Sequence, residues 1–402
     1  MKPAVLFPII LFVFSLPASF ASVDLSKPLS LQQCLTIATQ QGADIALAKA
    51  NIEEYRARLS EVQANYYPKL STLGYVAPMF TVKGDASTND VKRDFSLGAW
   101  GPSTHLEALL AMPIYTFGRL EAGERAAKAR LEVEKSRLRE AENHLTVEVN
   151  KFYYSHLYAA TILTHLQKAQ TRLAEIQAEA QKFYDESSGK VSKVDLMKLR
   201  FAETEVKKYI LLAEEGKQLA LAALKHTMGL KNDAPLTLSQ HKIPKPPRKL
   251  SLPEETEMLA MAKQNRPEWE QIKFGLKAAS QLRKSESLAH LPVLFVASTF
   301  EADWSPTRDD AKNPYHYDPY NQVFGGVAVG FKLELDWALR KAKMQAANAK
   351  LQQVSALKKL AVTGIPLQIN KARSEVLRFN KQINLSRAAI KASNKWVIFS
   401  AA

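Results

Sequence analysis

The sequence predicts a mainly α protein with a small β portion, in which long antiparallel helical hairpins each follow a pair of strands and the whole unit occurs twice. Three observations lead there. Leu131, Leu138, Leu145, Phe152, Ala159, Leu166, Leu173 and Ala180 recur every seventh position, with no Pro or Gly between Glu124 and Ser187. One helix therefore runs from Arg119 to about Tyr184, some ~100 Å at ~1.5 Å per residue. After a break at Ser187-Ser188-Gly189, Leu199, Val206, Ala213 and Ala220 continue the seven-residue spacing, so a second helix from Ser192 to about His226 returns along the first. The residues after 250 then restate those before 230. Positions three residues beyond each heptad position of the first helix are mixed (Glu134, Ala141, Glu148, Ser155, Ile162, Ala169, Ile176, Phe183). That pattern makes a seam in a bundle, not a two-stranded zipper.

The chain has 402 residues, a formal net charge of +15 and 46% hydrophobic residues. Its Lys and Arg are interleaved with Glu along helices, as between Glu121 and Glu140, which reads as solvated helical faces and argues against a nucleic-acid partner. Cys34 is the only cysteine, which excludes an intramolecular disulfide framework and a thiolate zinc cluster. With Ser30-Leu31-Gln32-Gln33 before it, it is also a poor lipid-attachment site.

Residues 1–21 read as a signal peptide: Lys2 opens it, Val5 to Leu16 is almost wholly apolar, and Ser19-Phe20-Ala21 offers small residues for cleavage after Ala21. No later run approaches the ~18 apolar residues of a membrane-spanning helix, so any membrane passage falls to strands.

Ser30 to Gln33 form a capping-box pattern that starts a short helix ending near Gln41 and Gly42. Ile45, Ala48, Ile52, Tyr55, Leu59, Val62 and Tyr66 alternate by three and four in a second helix that stops at Pro68. A strand follows at 69–80, then a polar loop from Thr81 to His105, a strand at 106–115, and a turn at Thr116-Phe117-Gly118-Arg119 into the hairpin at 119–228. Gly229 and the prolines at 235, 244, 246 and 247 mark a connector at 231–249.

Beyond it, Leu250-Ser251-Leu252 restates Leu29-Ser30-Leu31, and an offset of 224 places Ala262, Gln264, Lys273 and Pro292 on Ala38, Gln40, Lys49 and Pro68. Trp269, Ile272, Leu276 and Ala279 fall on Ile45, Ala48, Ile52 and Tyr55. Strands at 293–300 and 322–336 and a long helix from Arg340 complete the second copy, so the first repeat covers 22–230 and the second 250–402. In the last strand Val323, Val327, Val329, Phe331, Leu333 and Leu335 face one way. Gly326, Ala328, Gly330, Lys332, Glu334 and Asp336 face the other, an alternation shared by membrane barrels and by soluble sheets with one wet face. Long polar loops at one end and helices at the other favour the barrel. Four strands cannot close one, because the smallest membrane barrels need about eight, and open edges are forbidden in lipid. Several chains must share it.

In its motifs the chain resembles the TolC-like outer-membrane efflux protein family. The residues that carry the resemblance are Leu29-Ser30-Leu31-Gln32-Gln33-Cys34-Leu35, Tyr67-Pro68-Lys69-Leu70 and Met112-Pro113-Ile114-Tyr115-Thr116-Phe117-Gly118-Arg119. At the hairpin tip the family's pattern is matched by Gly189, Ser192, Val194, Asp195 and Leu196, with Tyr184 as its aromatic and a slightly longer spacing over Asp185 to Ser188. The resemblance implies a homotrimer with four strands per chain in a 12-stranded barrel in the outer membrane of a Gram-negative bacterium, and helices forming an α-barrel tunnel in the periplasm. It implies an inner-membrane pump and a periplasmic adaptor (membrane fusion protein) as partners. The chain would then be the passive channel of a tripartite efflux or type I secretion system, not an enzyme, with Tyr184, Gly189, Ser192, Val194, Asp195 and Leu196 meeting the adaptor.

Arg119 to Gly189 spans seventy positions, so the second hairpin would turn near position 410, whereas the sequence given stops at Ala402. The second copy is accordingly expected to lack its last helix. Its remaining helix keeps a seam at Met344, Leu351, Ile365, Ala372 and Phe379, with a kink expected at Pro366. No cofactor, catalytic constellation or metal-ligand set is expected. The loop at Asp309, Asp310, His316 and Asp318 reads as an extracellular barrel loop, and the remaining histidines as surface or bundle-facing. The competing readings are a periplasmic coiled-coil adaptor or structural protein, and a non-functional fragment of such a channel.

Overall fold

A computed structural model describes residues 27–84, 91–186, 189–244, 251–309, 318 and 320–401, the side chains of 396–401 excepted. The expected signal peptide, and Ser187, Ser188, Leu250, Asp310 and His316, lie outside the described residues. The elements in order are α1 (Leu31–Gln41), α2 (Ala43–Ala64), β1 (Lys69–Lys83), β2 (Lys92–Asp94), β3 (Trp100–Tyr115), α3 (Arg119–Asp185), α4 (Lys193–Thr227), α5 (Glu255–Asn265), α6 (Pro267–Ser287), β4 (Val293–Trp304), β5 (Gln322–Lys332) and α7 (Trp337–Ala401). The fold is mainly helical with one curled antiparallel sheet. Among the described residues no helix is long and apolar enough to cross a membrane. The chain divides into two compact units, one formed by residues 1–45 and 144–246, the other by 46–143 and 247–402.

In the first unit α1 opens with the expected capping box. Ser30 Oγ accepts from the Gln33 amide at 3.3 Å, and Gln33 Oε1 accepts from the Ser30 amide at 2.8 Å. Cys34, Ile37 and Ala38, one helical face, are buried. Burial pushes the Cys34 thiol up to about 11, so it stays protonated and unreactive at neutral pH. The connector is stitched to the start of the chain: Leu29 N donates to Thr237 O at 2.8 Å and Ser239 N to Leu29 O at 2.9 Å. The core gathers Leu29, Ile37, Ile45, Leu145, Val149, Tyr153, Leu157, Leu224 and Met228. Here α3 buries Leu145, Val149, Tyr153 and Leu157 at steps of four, not only at its heptad positions. Toward the tip the heptads take over, with Ala159 and Ala180 buried and Leu166 and Leu173 half-buried.

α4 ends in a Schellman arrangement. Gly229 N donates to His226 O and Leu230 N to Lys225 O, both at 2.9 Å, with Gly229 at φ +71°. A Cβ at Gly229 would lie 2.2 Å from Gln41 O, so both φ and space demand glycine.

The second unit holds the sheet, in the order β2-β1-β3-β4-β5, all neighbours antiparallel. Four strands fall where the sequence places them, with different ends. β1 runs on to Lys83, β3 begins at Trp100 and β4 reaches Trp304, so part of the expected Thr81 to His105 loop is strand. The ladder crosses Pro78 opposite Pro102, which is tolerable where neither strand needs an N–H at that position. Pro113 sits at a register shift against β4. β5 stops at Lys332 because its partner β4 begins at Val293, directly after Pro292. Leu333 to Asp336 are therefore not strand. Asp336 starts α7 three residues earlier than expected, its carboxylate accepting from Leu339 N at 3.0 Å. The turn into α3 places Phe117 at φ +54° and Gly118 at +84°, with Thr116 Oγ1 accepting from Leu120 N at 3.4 Å.

Polar ties bind the helices of this unit. Gln63 donates to Glu124 at 2.9 Å, Arg125 to Gln281 at 3.0 Å and Ser285 to Arg119 O at 3.0 Å, and Arg139 pairs with Glu270. Glu134, a heptad partner position, is buried and held by Arg130 at 2.8 Å and Arg137 at 3.1 Å. α7 packs on α6, burying Ala279, Ala347 and Ile365, and is tied to α5 by Asn370 donating to Glu255 at 2.9 Å. It continues through Pro366. Of its expected seam Ile365 is buried and Met344 and Leu351 are half-buried, whereas Ala372 and Phe379 are exposed.

Gly229→Ala is expected to cost about 3 kcal/mol, since it combines an unfavourable φ with a backbone clash. Denaturant melting followed by circular dichroism measures it, and an unchanged midpoint would contradict the packing described.

Candidate functional site

Residues directly opposite one another in an antiparallel ladder share a face, so the registers sort the sheet into two. One face carries Leu70, Val76, Leu106, Leu110, Met112, Leu294, Val296, Phe300, Val323, Val327, Val329 and Phe331. On β5 it is open to surroundings: Val323 is 77% exposed, Val327 76% and Val329 75%. The other face carries Ser71, Tyr75, His105, Glu107, Thr299, Glu301, Asp303, Gln322, Gly326, Ala328 and Lys332. On the four long strands every charged residue lies on this second face, beside Leu73, Leu109, Phe295 and Phe324, while the first face is uncharged and largely apolar, with Thr72, Thr104 and Ser298 among its residues. A bilayer-facing strand surface needs such an uncharged, mainly apolar side.

Around the polar end of this face, His105 Nδ1 lies 2.6 Å from Asp303 Oδ1, and Gln322 Nε2 donates to Asp303 at 3.1 Å and to Glu301 at 3.3 Å. Beyond β4 the chain lies back over β1. Arg308 makes a buried pair with Asp318 at 3.0 Å and donates to Val82 O at 3.3 Å, while Asp309 accepts from Gly84 N at 2.8 Å. Asp309 and Asp318 therefore each have protein partners.

At the hairpin tip the structure brings Ser192 and Asp195 together. Asp195 N donates to Ser192 Oγ at 3.2 Å, while the Ser192 hydroxyl and amide donate to Asp195 Oδ2 at 2.6 and 3.2 Å. This second capping box starts α4. These two Ser192 hydrogen bonds, with Lys198 adding at 3.2 Å, hold the Asp195 carboxyl below the usual carboxylate range. Gly189 turns the chain at φ +66°. Tyr184 and Val194 are exposed and Leu196 is half-buried. Lys190 lies over the Phe183 ring at 5.3 Å, and Gln177 donates to Glu203 at 3.3 Å, joining the two helices below the turn.

Residues 35–230, from α1 through α4, match the model of the outer membrane efflux protein family. That match spans a little under half of the 402 residues. The fold agrees across most of the chain. A solved structure of CusC, described for its transmembrane channel formation, superposes with a TM-score of 0.69 at 14% identity over 93% of this chain and 82% of that one. The Campylobacter jejuni CmeC outer membrane channel gives 0.65 at 16% identity over 83% and 68%, and a membrane protein from Pseudomonas aeruginosa 0.67 at 18% over 91% and 83%. No curated protein matches in sequence.

The polar cluster of His105, Glu107, Glu301 and Asp303 escaped the sequence reading. Their alternation at 105 and 107, and at 301 and 303, is a strand pattern, but with β3 read as starting at 106 and β4 as ending at 300 three of the four fell in loops. Only strand pairing brings the two stretches together.

Because folding depresses the Asp195 pKa, its contribution to the tip is present at neutral pH and is lost as pH falls below roughly 4. Hydrogen exchange of the amides at the start of α4 is expected to quicken relative to the rest of the helix at pH 3. Ser192→Ala should abolish that difference and weaken the cap by about 1 kcal/mol at pH 7. Equal protection at both pH values would contradict the assignment.

Proposed function

We propose that the chain is the outer-membrane channel component of a tripartite efflux or type I secretion system, a passive conduit across outer membrane and periplasm. The observation that supports it is the sheet: four long antiparallel strands with one uncharged, largely apolar face and, among the described residues, no long strand paired beyond β1 or β5. In a bilayer every strand N–H and C=O needs a partner, so the edges must close on other copies. Three copies give twelve strands, with the apolar face toward lipid and the polar face toward the lumen. Nothing in the reading requires catalysis, because the pump supplies the energy.

The chain is read here as two copies of one unit. The starts of α1, α2 and β1 at Leu31, Ala43 and Lys69 recur 224 positions later at Glu255, Pro267 and Val293, the starts of α5, α6 and β4. At that offset Glu254, not Ser251, stands in the place of the Ser30 cap, with no side-chain bond, and Pro253 disfavours helix at Leu252.

The tip formed by Tyr184, Gly189, Ser192, Val194, Asp195 and Leu196 is the surface proposed to meet a periplasmic adaptor. Its exposed Tyr184 and Val194 offer apolar contact beside a rigid capped turn. A periplasmic adaptor or a soluble coiled coil accounts for the hairpin but not for the apolar sheet face.

The expected result of fractionation is retention in outer membranes after a high-salt wash, with trimers in mild detergent that conduct ions across planar bilayers. Release into the soluble fraction would overturn the reading. Val327→Lys, which puts a charge on the lipid side at a cost of roughly 2–4 kcal/mol per chain at mid-bilayer, should lower the membrane-inserted fraction severalfold, whereas Ala328→Ser on the opposite face should leave it unchanged. For the tip, a photo-crosslinker at Val194 is expected to capture the adaptor in cells and one at Leu385 is not. Equal capture at both would remove the tip assignment.

A further inference from the structure

The polar face of the sheet holds an arrangement that the channel reading does not use. Glu107 on β3 stands directly opposite Glu301 on β4, and His105 directly opposite Asp303. Like charges facing each other across a ladder are destabilising, and here a third carboxylate lies one pair further along. The chain carries 55 Lys and Arg against 40 Asp and Glu, yet among the described residues no Lys or Arg pairs with Glu107, Glu301 or Asp303. Among the described residues beside these carboxylates, His105 offers a positive charge, and only when its ring is protonated.

The imidazole is held as a metal-ligating histidine is held. Tyr75 stacks on its ring at 4.8 Å, and Asp303 lies 2.6 Å from Nδ1. With the proton on Nδ1 donated to Asp303, the Nε2 lone pair is free and directed away, and a carboxylate partner on the other nitrogen both fixes the tautomer and raises ligand basicity. Glu107 Oε2 is 4.0 Å from Nε2, too far for a hydrogen bond and within reach of two ligands sharing one ion. Ligand atoms of His105, Glu301 and Asp303 all lie within 4.8 Å of one another, and the Gln322 amide, donating to both Glu301 and Asp303, holds the two carboxylates at a common height on the face.

We propose that His105, Glu301 and Asp303, with Glu107, form a binding site for a first-row divalent transition metal on the polar face of the sheet. One imidazole nitrogen among carboxylate oxygens suits Zn2+, Ni2+ or Co2+, and the absence of a thiolate or thioether from the set disfavours a soft monovalent ion. The assignment concerns binding alone and is tested without conductance, so it stands or falls separately from the channel reading.

The test is calorimetric titration of Zn2+ into the full chain in detergent, with X-ray absorption at the zinc edge. About one ion per chain is expected, with a first shell of nitrogen and oxygen only and the outer-shell scattering of an imidazole. His105→Ala and Glu301→Gln should each weaken binding by at least about tenfold, while Thr72→Ala on the opposite face should not change it. Glu301→Gln keeps the shape of the side chain, so it decides the question if His105→Ala fails to fold. No binding by the parent chain, binding that both variants retain in full, or sulfur in the first shell would each overturn the proposal.

Discussion

Backbone hydrogen bonding at the edges of one sheet governs how this chain can be built. Among the described residues β5 pairs only with β4, and β1 over most of its length only with β3, so two rows of strand N–H and C=O groups face outward beside a largely apolar surface. In water such edges recruit other strands, and in lipid they are not allowed at all. The proposed sharing of a barrel among copies follows from that constraint more directly than from any single residue. In the proposed barrel the apolar side chains of one face would meet lipid, and Gly326, Ala328 and Gly330 on the other would leave room for a lumen.

The helices answer a different requirement. A helix of 67 residues such as α3 cannot be held by propensity alone, and packing along its length does the work. At Leu145, Val149, Tyr153 and Leu157 it is buried at steps of four. Toward the tip Gln177 joins it to Glu203 of α4, and of the heptad positions Ala159 and Ala180 are buried while Leu166 and Leu173 are half-buried. The turn is held by backbone chemistry instead: a left-handed Gly189, a Ser192–Asp195 capping box and a lysine over Phe183. Beside these contacts Tyr184 and Val194 remain exposed.

Local patterns were legible wherever one element's own sequence settles its structure. The capping box at Ser30, the stops at Gly42 and Gly229, the heptads of α3 and α4, and the alternation in β5 all arise from residues within a few positions of each other. Strand ends were less legible. β3 reaches back to Trp100 through Gly101, Pro102 and Ser103, residues that read as loop, because β1 continues opposite them. β5 stops short of its own apolar alternation because β4 starts only after Pro292. A strand extends as far as its partner does, and the partner lies far away in sequence.

The sequence by itself determined the classes of element and their order, since helix and strand periodicities and caps are local consequences of side-chain shape and backbone valence. It determined the outer membrane efflux resemblance as well. Only the tertiary structure decided the registers between strands nearly two hundred positions apart, and with them the two faces of the sheet. It also decided that His105, Glu107, Glu301 and Asp303 share one patch. The reason is that cross-strand pairing is a contact between distant segments, whose energy depends on both partners and is written in neither alone.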